Sequence, residues 1–353
     1  MLDTSKTYTR FDPDGIGYGI EHLAEQVRMA WHDTRTMRLP PSYRRAKNVV
    51  VVGMGGSALG PEVLLHAWCK RFTVPITIVR GYTLPSWVNR DTLIVLSSFS
   101  GTTEEVLAVA EDARRRRLKV AVMTTGGLLA ECATAAKWPT YLYAPAELAR
   151  EPRFGLGFTM IGLLGILQAA GLTKAQDGDI RRLRSAMGDV LDTSAADVPT
   201  DENPAKMVAE ALRGKPVMVF AAGHLVGNAH VFRNQLNETA KQFATYTALP
   251  EGNHHMLEGF TFPKGFAKTT TAVMVRSSLY HERVQKRFDV TADMLERMGV
   301  QVVDYMAGGK DALEECGEVL QFTSFVAYYL GLLNGMNAAK MPFVDEFKKN
   351  VGA

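Results

Sequence analysis

Cysteine is scarce in this chain: Cys69, Cys132 and Cys316 are the three among 353 residues. They are far apart and odd in number, which excludes a disulfide framework and a C-x-x-C metal site. A reducing, cytoplasmic compartment is the expectation. Charge of one sign is also lacking. The formal net charge is +3, which compels no nucleic-acid partner. No run reaches the roughly 18 consecutive apolar residues of a membrane span, so no membrane partner is expected. The apolar segment Phe322 to Leu333 is short and holds Thr323 and Ser324. The first twenty residues carry Asp3, Lys6, Arg10, Asp12 and Asp14 without an apolar core, so no secretory signal is expected. Short repeats and low-complexity tracts are absent. What remains is an ordinary globular composition, 46% hydrophobic and 22% charged, long for one domain and natural for two.

Residues 49–60 read VVVVGMGGSALG. Consecutive valines without alternation suit a parallel strand buried on both faces. Gly53 to Ser57 then turn, and Pro61 to Leu65 open a helix, with Pro61 tolerated in its first turn. A strand, a glycine-rich turn and a helix offer backbone N–H groups to an anion, usually phosphate. Position 58 is Ala, so there is no G-x-G-x-x-G, and no P-loop Lys follows. Taken alone, the turn equally suits a tight connection with no ligand. A second run, Asp91 to Leu96, ends in Ser97-Ser98-Phe99-Ser100-Gly101-Thr102-Thr103 and a helix start at Glu104. One helix cap needs one hydroxyl. The surplus hydroxyls of Ser98, Ser100, Thr102 and Thr103 point instead to phosphate.

Strands are expected at Val49–Gly53, Ile76–Arg80, Leu93–Ser97, Val120–Thr124 and Thr140–Leu142, and helices near 61–71, 103–116 and 127–136. This is a doubly wound α/β pattern, whose ligands sit at the carboxyl ends of strands. Gly19 to Thr34 reads as a helix in an N-terminal lead-in, and Arg114 to Arg117 as a solvated helix end. Helices follow at Phe158–Ala170 and Gly178–Leu191, then a polar segment near 193–203. A second α/β unit has strands Pro216–Phe220, Thr269–Val275 and Val300–Tyr305. Its helices are Asn228–Phe243, Tyr280–Met298 and one or two within Lys310–Gly335. The expected organisation is 1–47 lead-in, 48–195 first domain, and 196–353 second domain with a helical tail.

Four further positions could carry chemistry. Arg153 precedes an apolar helix, where an Arg is usually a surface residue. Glu238 lies in NQLNETAK, and an ordinary helix Glu there would pair with Lys241. His254 and His255 follow Pro250-Glu251-Gly252-Asn253. Either could be structural, and adjacent loop residues rarely ligate one metal, so no metal is expected. Lys348 and Lys349 lie in the C-terminal tail, where a solvated helix end is the usual reading.

The motifs GMGGSALG, RGYTLPSWV (Arg80 to Val88) and SSFSGTTEEVL (Ser97 to Leu107) together resemble the bifunctional phosphoglucose/phosphomannose isomerase family of sugar isomerase (SIS) domains. Its members run G-M-G-G-S, Y-x-L-P-x-W and S-Y-S-G-N-T-x-E. The resemblance continues through Gly126 to Glu131, the Q-x-N-E-x-A-K helix around Glu238, the P-E-x-N-H-N motif at His254 and an I-x-x-L-K ending at Lys348. Departures are Leu128 for Lys, Phe154 and Gly155 in the P-R-A-A-L segment, AELARE before it, His255 for Asn, and Asn337-Ala338-Ala339-Lys340 where the family has D-P-T-P.

The resemblance implies two tandem SIS units, each a parallel sheet flanked by helices, sharing one sugar-binding cleft. It implies aldose–ketose isomerisation of glucose 6-phosphate, and of mannose 6-phosphate, with fructose 6-phosphate, without a cofactor. Ser98, Ser100 and Thr103 would hold the phosphate, and Gly55, Gly56 and Ser57 would lie against the sugar. Glu238 would be the base and Arg153 the cation beside the reacting carbons. His254 would reach the active site of a partner subunit, which implies a homodimer. Lys348 would contact the sugar, with Lys349 as the alternative. A threonine in the missing D-P-T-P segment accompanies mannose tolerance in the family, so its absence weighs against mannose. Two other functions fit the same fold: an isomerase of another phosphosugar or amino sugar phosphate, and a non-catalytic sugar-phosphate sensor.

Overall fold

Unbroken apolar runs become the central strands of a parallel sheet in the computed structural model, which describes residues 1–352. Helices α1 (Ser5–Phe11), α2 (Ile16–Glu21) and α3 (Leu23–Thr34) come first. The single helix expected over Gly19–Thr34 is two helices. The Asp12 carboxylate accepts from the N–H groups of Ile16 and Gly17, fixing the start of α2. The break falls at His22, whose ψ is +17°. There the chain passes from one compact unit to the other.

The first sheet follows. Its elements are β1 (Asn48–Val52), α4 (Gly56–Ala67), β2 (Ile76–Val79), β3 (Thr92–Ser98), α5 (Glu104–Arg115), β4 (Lys119–Thr124), α6 (Gly127–Ala136) and β5 (Thr140–Leu142). Helices α7 (Leu156–Ala169) and α8 (Asp177–Ser194) come next. The strand order is β2-β1-β3-β4-β5, all parallel. The valines of β1 and all of β3 are buried, as two-sided apolar runs require. Burial of each valine stabilises by on the order of 1.5 kcal/mol. Val50, Val52, Ile94 and Leu96 pack with Val106 and Val109 of α5. The chain moves out from β1 to β2, then returns to β3 on the other side. The switch point of this doubly wound sheet therefore lies at the carboxyl ends of β1 and β3.

Helix α4 begins at Gly56, not at Pro61, which sits inside it. A proline has no N–H for the carbonyl four residues back. That carbonyl belongs to Ser57, and the Ser97 hydroxyl donates to it at 2.7 Å. An interior proline is tolerated because β3 supplies the missing donor.

The second sheet repeats the winding. After α9 (Pro204–Leu212) come β6 (Val217–Ala222), α10 (Val226–Glu238), β7 (Ala244–Leu249), α11 (Phe266–Thr269), β8 (Thr271–Ser277), α12 (Glu282–Met298) and β9 (Gln301–Ala307). The order is β7-β6-β8-β9, again all parallel. The helix expected to reach Phe243 stops at Glu238. Lys241 takes φ +52°, and β7, which the sequence pattern does not reveal, follows. Only Ala244, Thr247 and Leu249 of this short edge strand are buried, so it has neither alternation nor an apolar run. Last come α13 (Ala312–Leu333), one continuous helix, and α14 (Pro342–Val351). By length and composition α13 could cross a membrane, but 94% of its apolar window is buried inside the fold. It is apolar all round because it is a core helix.

Two compact units result, and both are discontinuous in sequence. One joins Met1–Glu21 to Ser185–Met341 and holds the second sheet. The other joins His22–Arg184 to the segment from Pro342 onward and holds the first. Strands β1 to β5 lie within 48–195 and β6 to β9 within 196–353.

Candidate active site

Three segments of the first-sheet unit meet at the switch point. The turn after β1 uses Gly55 at φ +48° and ψ −131°, a region that side-chain residues avoid. Gly56 is needed for a different reason. A Cβ there would lie 2.5 Å from the carbonyl carbon and oxygen of Pro152 and 2.8 Å from the Arg153 nitrogen. The glycine turn and the Arg153 segment therefore touch backbone to backbone. Ser57 is buried, and its Oγ accepts from the Phe99 N–H at 2.9 Å, tying the turn to the loop after β3.

That loop spends its hydroxyls on itself. Ser98 Oγ lies 2.8 Å from Thr103 Oγ1 and accepts from the Gly101 N–H at 3.0 Å. Ser100 Oγ accepts from the Thr102 N–H and hydroxyl at 3.2 and 3.0 Å. Thr103 stands at the N-cap of α5, yet its side chain makes no cap bond. The hydroxyls thus preform a loop at a helix N-terminus, where the partial positive charge favours an anion. Gly101 (φ +69°) lies so close to the turn after β4 that a Cβ would sit 1.8 Å from the Gly126 carbonyl oxygen. The Tyr82 hydroxyl donates to the Glu104 carboxylate in the first turn of α5. That hydrogen bond, with slight burial and the charges of Glu105 and Glu104, pushes the Tyr82 phenol up to about 12.

Arg153, 1% exposed, is not a surface residue. Its Nη1 donates to Glu151 Oε2 at 2.9 Å, and its guanidinium carbon lies 5.5 Å from the centroid of the Phe154 ring. Next to it, Gly155 faces the Phe99 ring, 3.1 Å from where a Cβ would be. A buried guanidinium beside an anion-favouring loop is an electrostatic site, because desolvation strengthens its field.

The second-sheet unit holds Glu238 and His254. Half-buried Glu238 ends α10, and the turn after it is clamped to α13. A Cβ on Gly331 would lie 2.8 Å from the Thr239 carbonyl oxygen. The Asn334 amide donates to the Ala240 carbonyl at 3.0 Å, and Lys241 Nζ donates to the Asn337 carbonyl at 2.6 Å. The carboxylate therefore stands on a fixed backbone. It also stands at a helix C-terminus, where negative charge is disfavoured. His254 lies in a single 3-10 turn, Glu251–His254, packed on β7, and both His254 and His255 are exposed. Lys348 and Lys349 are exposed in α14, a helix with no buried residue.

The comparisons with known proteins span most of the chain. The bacterial phospho-glucose isomerase C-terminal SIS domain matches residues 201–351. A bifunctional phosphoglucose/phosphomannose isomerase from Caldicellulosiruptor bescii is 27% identical over 333 residues, covering 94% of this chain and 97% of the relative. Over nearly its whole length the chain is similar to a bifunctional phosphoglucose/phosphomannose isomerase, and over residues 201–351 to the bacterial SIS domain. The two similarly wound parallel sheets, each flanked by helices, agree with that likeness. A D-glucosamine-6-phosphate 4-epimerase from Sulfolobus acidocaldarius is 29% identical over 230 residues, covering 64% of this chain and 68% of the epimerase. The crystal structure of a hypothetical protein from Thermus thermophilus superposes with a TM-score of 0.75 at 20% identity, covering 98% of this chain and 92% of that one.

Within the unit of the first sheet the structure brings Gly55, Gly56, Ser57, Ser98, Ser100, Thr103 and Arg153 to one end of that sheet. Motif reading did not single out Ser97, the Phe99 amide, Glu151 or the Tyr82–Glu104 link. It noted Gly126 and Gly127 only as part of a resemblance. A Cβ on Gly127 would lie 2.5 Å from the Ser100 carbonyl oxygen, so that turn buttresses the hydroxyl loop. Two adjacent glycines after a strand are the signal that could have pointed to such close packing.

Proposed function

We propose that this phosphosugar isomerase interconverts glucose 6-phosphate, and more slowly mannose 6-phosphate, with fructose 6-phosphate through an enediol. One observation carries the reading. A hydroxyl loop at the start of α5, a glycine turn and a buried arginine converge at the sheet's switch point, where a phosphate and the charge of an enediolate both find donors.

In this reading Ser98, Ser100 and Thr103 hold the phosphate with their loop. Gly55, Gly56 and Ser57 let the chain approach the sugar. His254 of a homodimer's second subunit, or Lys348, assists ring opening. The exposure of His254 in the single chain supports its reach to another subunit. Glu238 takes the C2 proton and returns it at C1, while the C2 hydroxyl proton passes to O1. Arg153 stabilises the enediolate. A carboxylate at a disfavoured helix end on a clamped turn supports the base assignment, because such local conflicts concentrate at functional sites. The sugar supplies its own carbonyl, so the reaction needs no cofactor.

A coupled assay on purified protein with glucose 6-phosphate and mannose 6-phosphate tests the substrates. Replacing Glu238 by Gln should lower kcat by about 10²–10⁴-fold, the usual contribution of a general base. Near-full activity of Glu238→Gln would remove Glu238 from the mechanism. The epimerase relative favours a second reading, an amino sugar phosphate as substrate. Turnover of glucosamine 6-phosphate with neither hexose phosphate converted would select it. Phosphosugar binding with no turnover at all would select a sensor.

A further inference from the structure

A second anion-seeking feature lies away from the hydroxyl loop, in the second-sheet unit. A cavity of about 280 Å³ separates α12 from the segment after β7. Asn253 and Leu257 form one wall. Arg283, Lys286 and Arg287, then Val290 and Met294, form the other. Their spacing, three or four residues apart, puts them on one face of α12.

The wall carries three cations against the one nearby helix acid, Glu282. Among the described residues, no carboxylate forms an ion pair with Arg283, Lys286 or Arg287. Two of the four acids of α12 are engaged elsewhere, Asp289 with Arg276 at 2.7 Å and Asp293 with Arg297 at 2.8 Å, while Glu282 stands one turn before Lys286 without forming an ion pair with it. Both stand one position ahead of the cavity residues Val290 and Met294, on the neighbouring face. Three like charges within two turns repel one another. Arg283 also sits in the first turn of α12, where the helix dipole disfavours a cation. A bound anion reverses both costs, because the cations and the helix N-terminus then act on it together. Val290 and Met294, with Leu257 opposite, add an apolar wall suited to a ring.

We propose that this cavity binds a small organic phosphate carrying one apolar ring. Its volume lies just below the range of about 300–1,000 Å³ of ordinary small-molecule sites, which limits the ligand to one ring and one phosphate. Arg287 also donates to Asn253 Oδ1 at 3.3 Å, and the Asn253 amide donates to Thr291 Oγ1 at 2.8 Å. A phosphate that engages Arg287 thus reaches the residue immediately before His254.

Phenyl phosphate is the probe, titrated calorimetrically into the full-length protein. The wild type should show two binding events, one removed by Ser98→Ala with Ser100→Ala and the other by Arg283→Gln with Lys286→Gln and Arg287→Gln. Inorganic phosphate should bind the α12 cavity about tenfold more weakly, since it leaves the apolar wall unused. Lys286→Glu alone, an exposed single change, should weaken the second event about tenfold, as loss and reversal of one charge contact does. An unchanged second event in Lys286→Glu and in the triple variant would overturn the proposal. So would a single event in the wild type that the Ser98→Ala, Ser100→Ala protein abolishes. The α12 event does not depend on catalysis, so its loss and a failure of the isomerase reading are separable.

Discussion

Replacing Gly56 by Ala tests the central contact of the candidate site. The added Cβ would lie 2.5 Å from Pro152 backbone atoms, whereas carbon atoms meet comfortably at about 3.5 Å. Either the start of α4 or the Pro152–Arg153 backbone must therefore move by roughly 1 Å. Neither is the free end of a flexible side chain. Overpacking of this kind costs about 1–3 kcal/mol of stability. A 1 Å misplacement of a group at the reacting atoms costs about 10²-fold in rate. Denaturant unfolding and the coupled isomerase assay on the same protein preparation measure both. The expected result is a stability loss of about 1–3 kcal/mol with kcat lowered on the order of 100-fold. Gly56 does not adopt the left-handed backbone of Gly55, so backbone strain does not confound the result. Stability and kcat both within about twofold of wild type, under 0.5 kcal/mol in free energy, would refute the idea that this approach positions Arg153.

Three other perturbations follow from particular bonds. Replacing Ser97 by Ala leaves the Ser57 carbonyl without the donor it needs beside Pro61, and should cost about 1–3 kcal/mol by urea unfolding. Adding Pro61→Ala restores an N–H for that carbonyl, so the double variant should be more stable than the sum of the two single changes, and strict additivity would contradict this account. Replacing Gly188 by Ala, inside α8 with no atom within 4 Å of the new Cβ, should raise stability by about 0.5–1 kcal/mol and leave turnover unchanged, as thermal unfolding and the assay would reveal. Asp179 is nearly buried; burial raises its pKa, but bonds from the Gln176 N–H, Arg182 and Arg71 outweigh it, and the folded pKa is lowered. Its contribution is therefore present above the unfolded value of about 3.9 and lost as pH falls through the lower folded value. Asp179→Asn should cost about 1–2 kcal/mol at pH 7, discounted for the half-exposed arginines, and the difference should begin to shrink below about pH 4 and vanish below the lowered folded value; a difference that stays constant as the pH falls would show that the charge is not responsible.

The sequence by itself determined the elements whose signal is local. The valines of β1 and the run in β3 announce two-sided burial, because no polar face interrupts them. The same run-and-turn pattern anticipated β2, β4, β5, α5 and α6 to within two residues, and with them the end of the sheet where a ligand would sit. The hydroxyls from Ser98 to Thr103 were legible as a loop with more donors than a helix cap can use. Tertiary structure decided what depends on distant partners. Pro61 could enter α4 only because Ser97, forty residues from Ser57 in the chain, supplies the donor that proline removes. β7 exists as a strand because β6 offers an edge, not because its residues alternate. Burial of Arg153, and the need for glycine at position 56, come from one backbone meeting another. A side chain's own pattern records which way it faces. Which atom it meets there is set by the packing of segments that the sequence lists far apart.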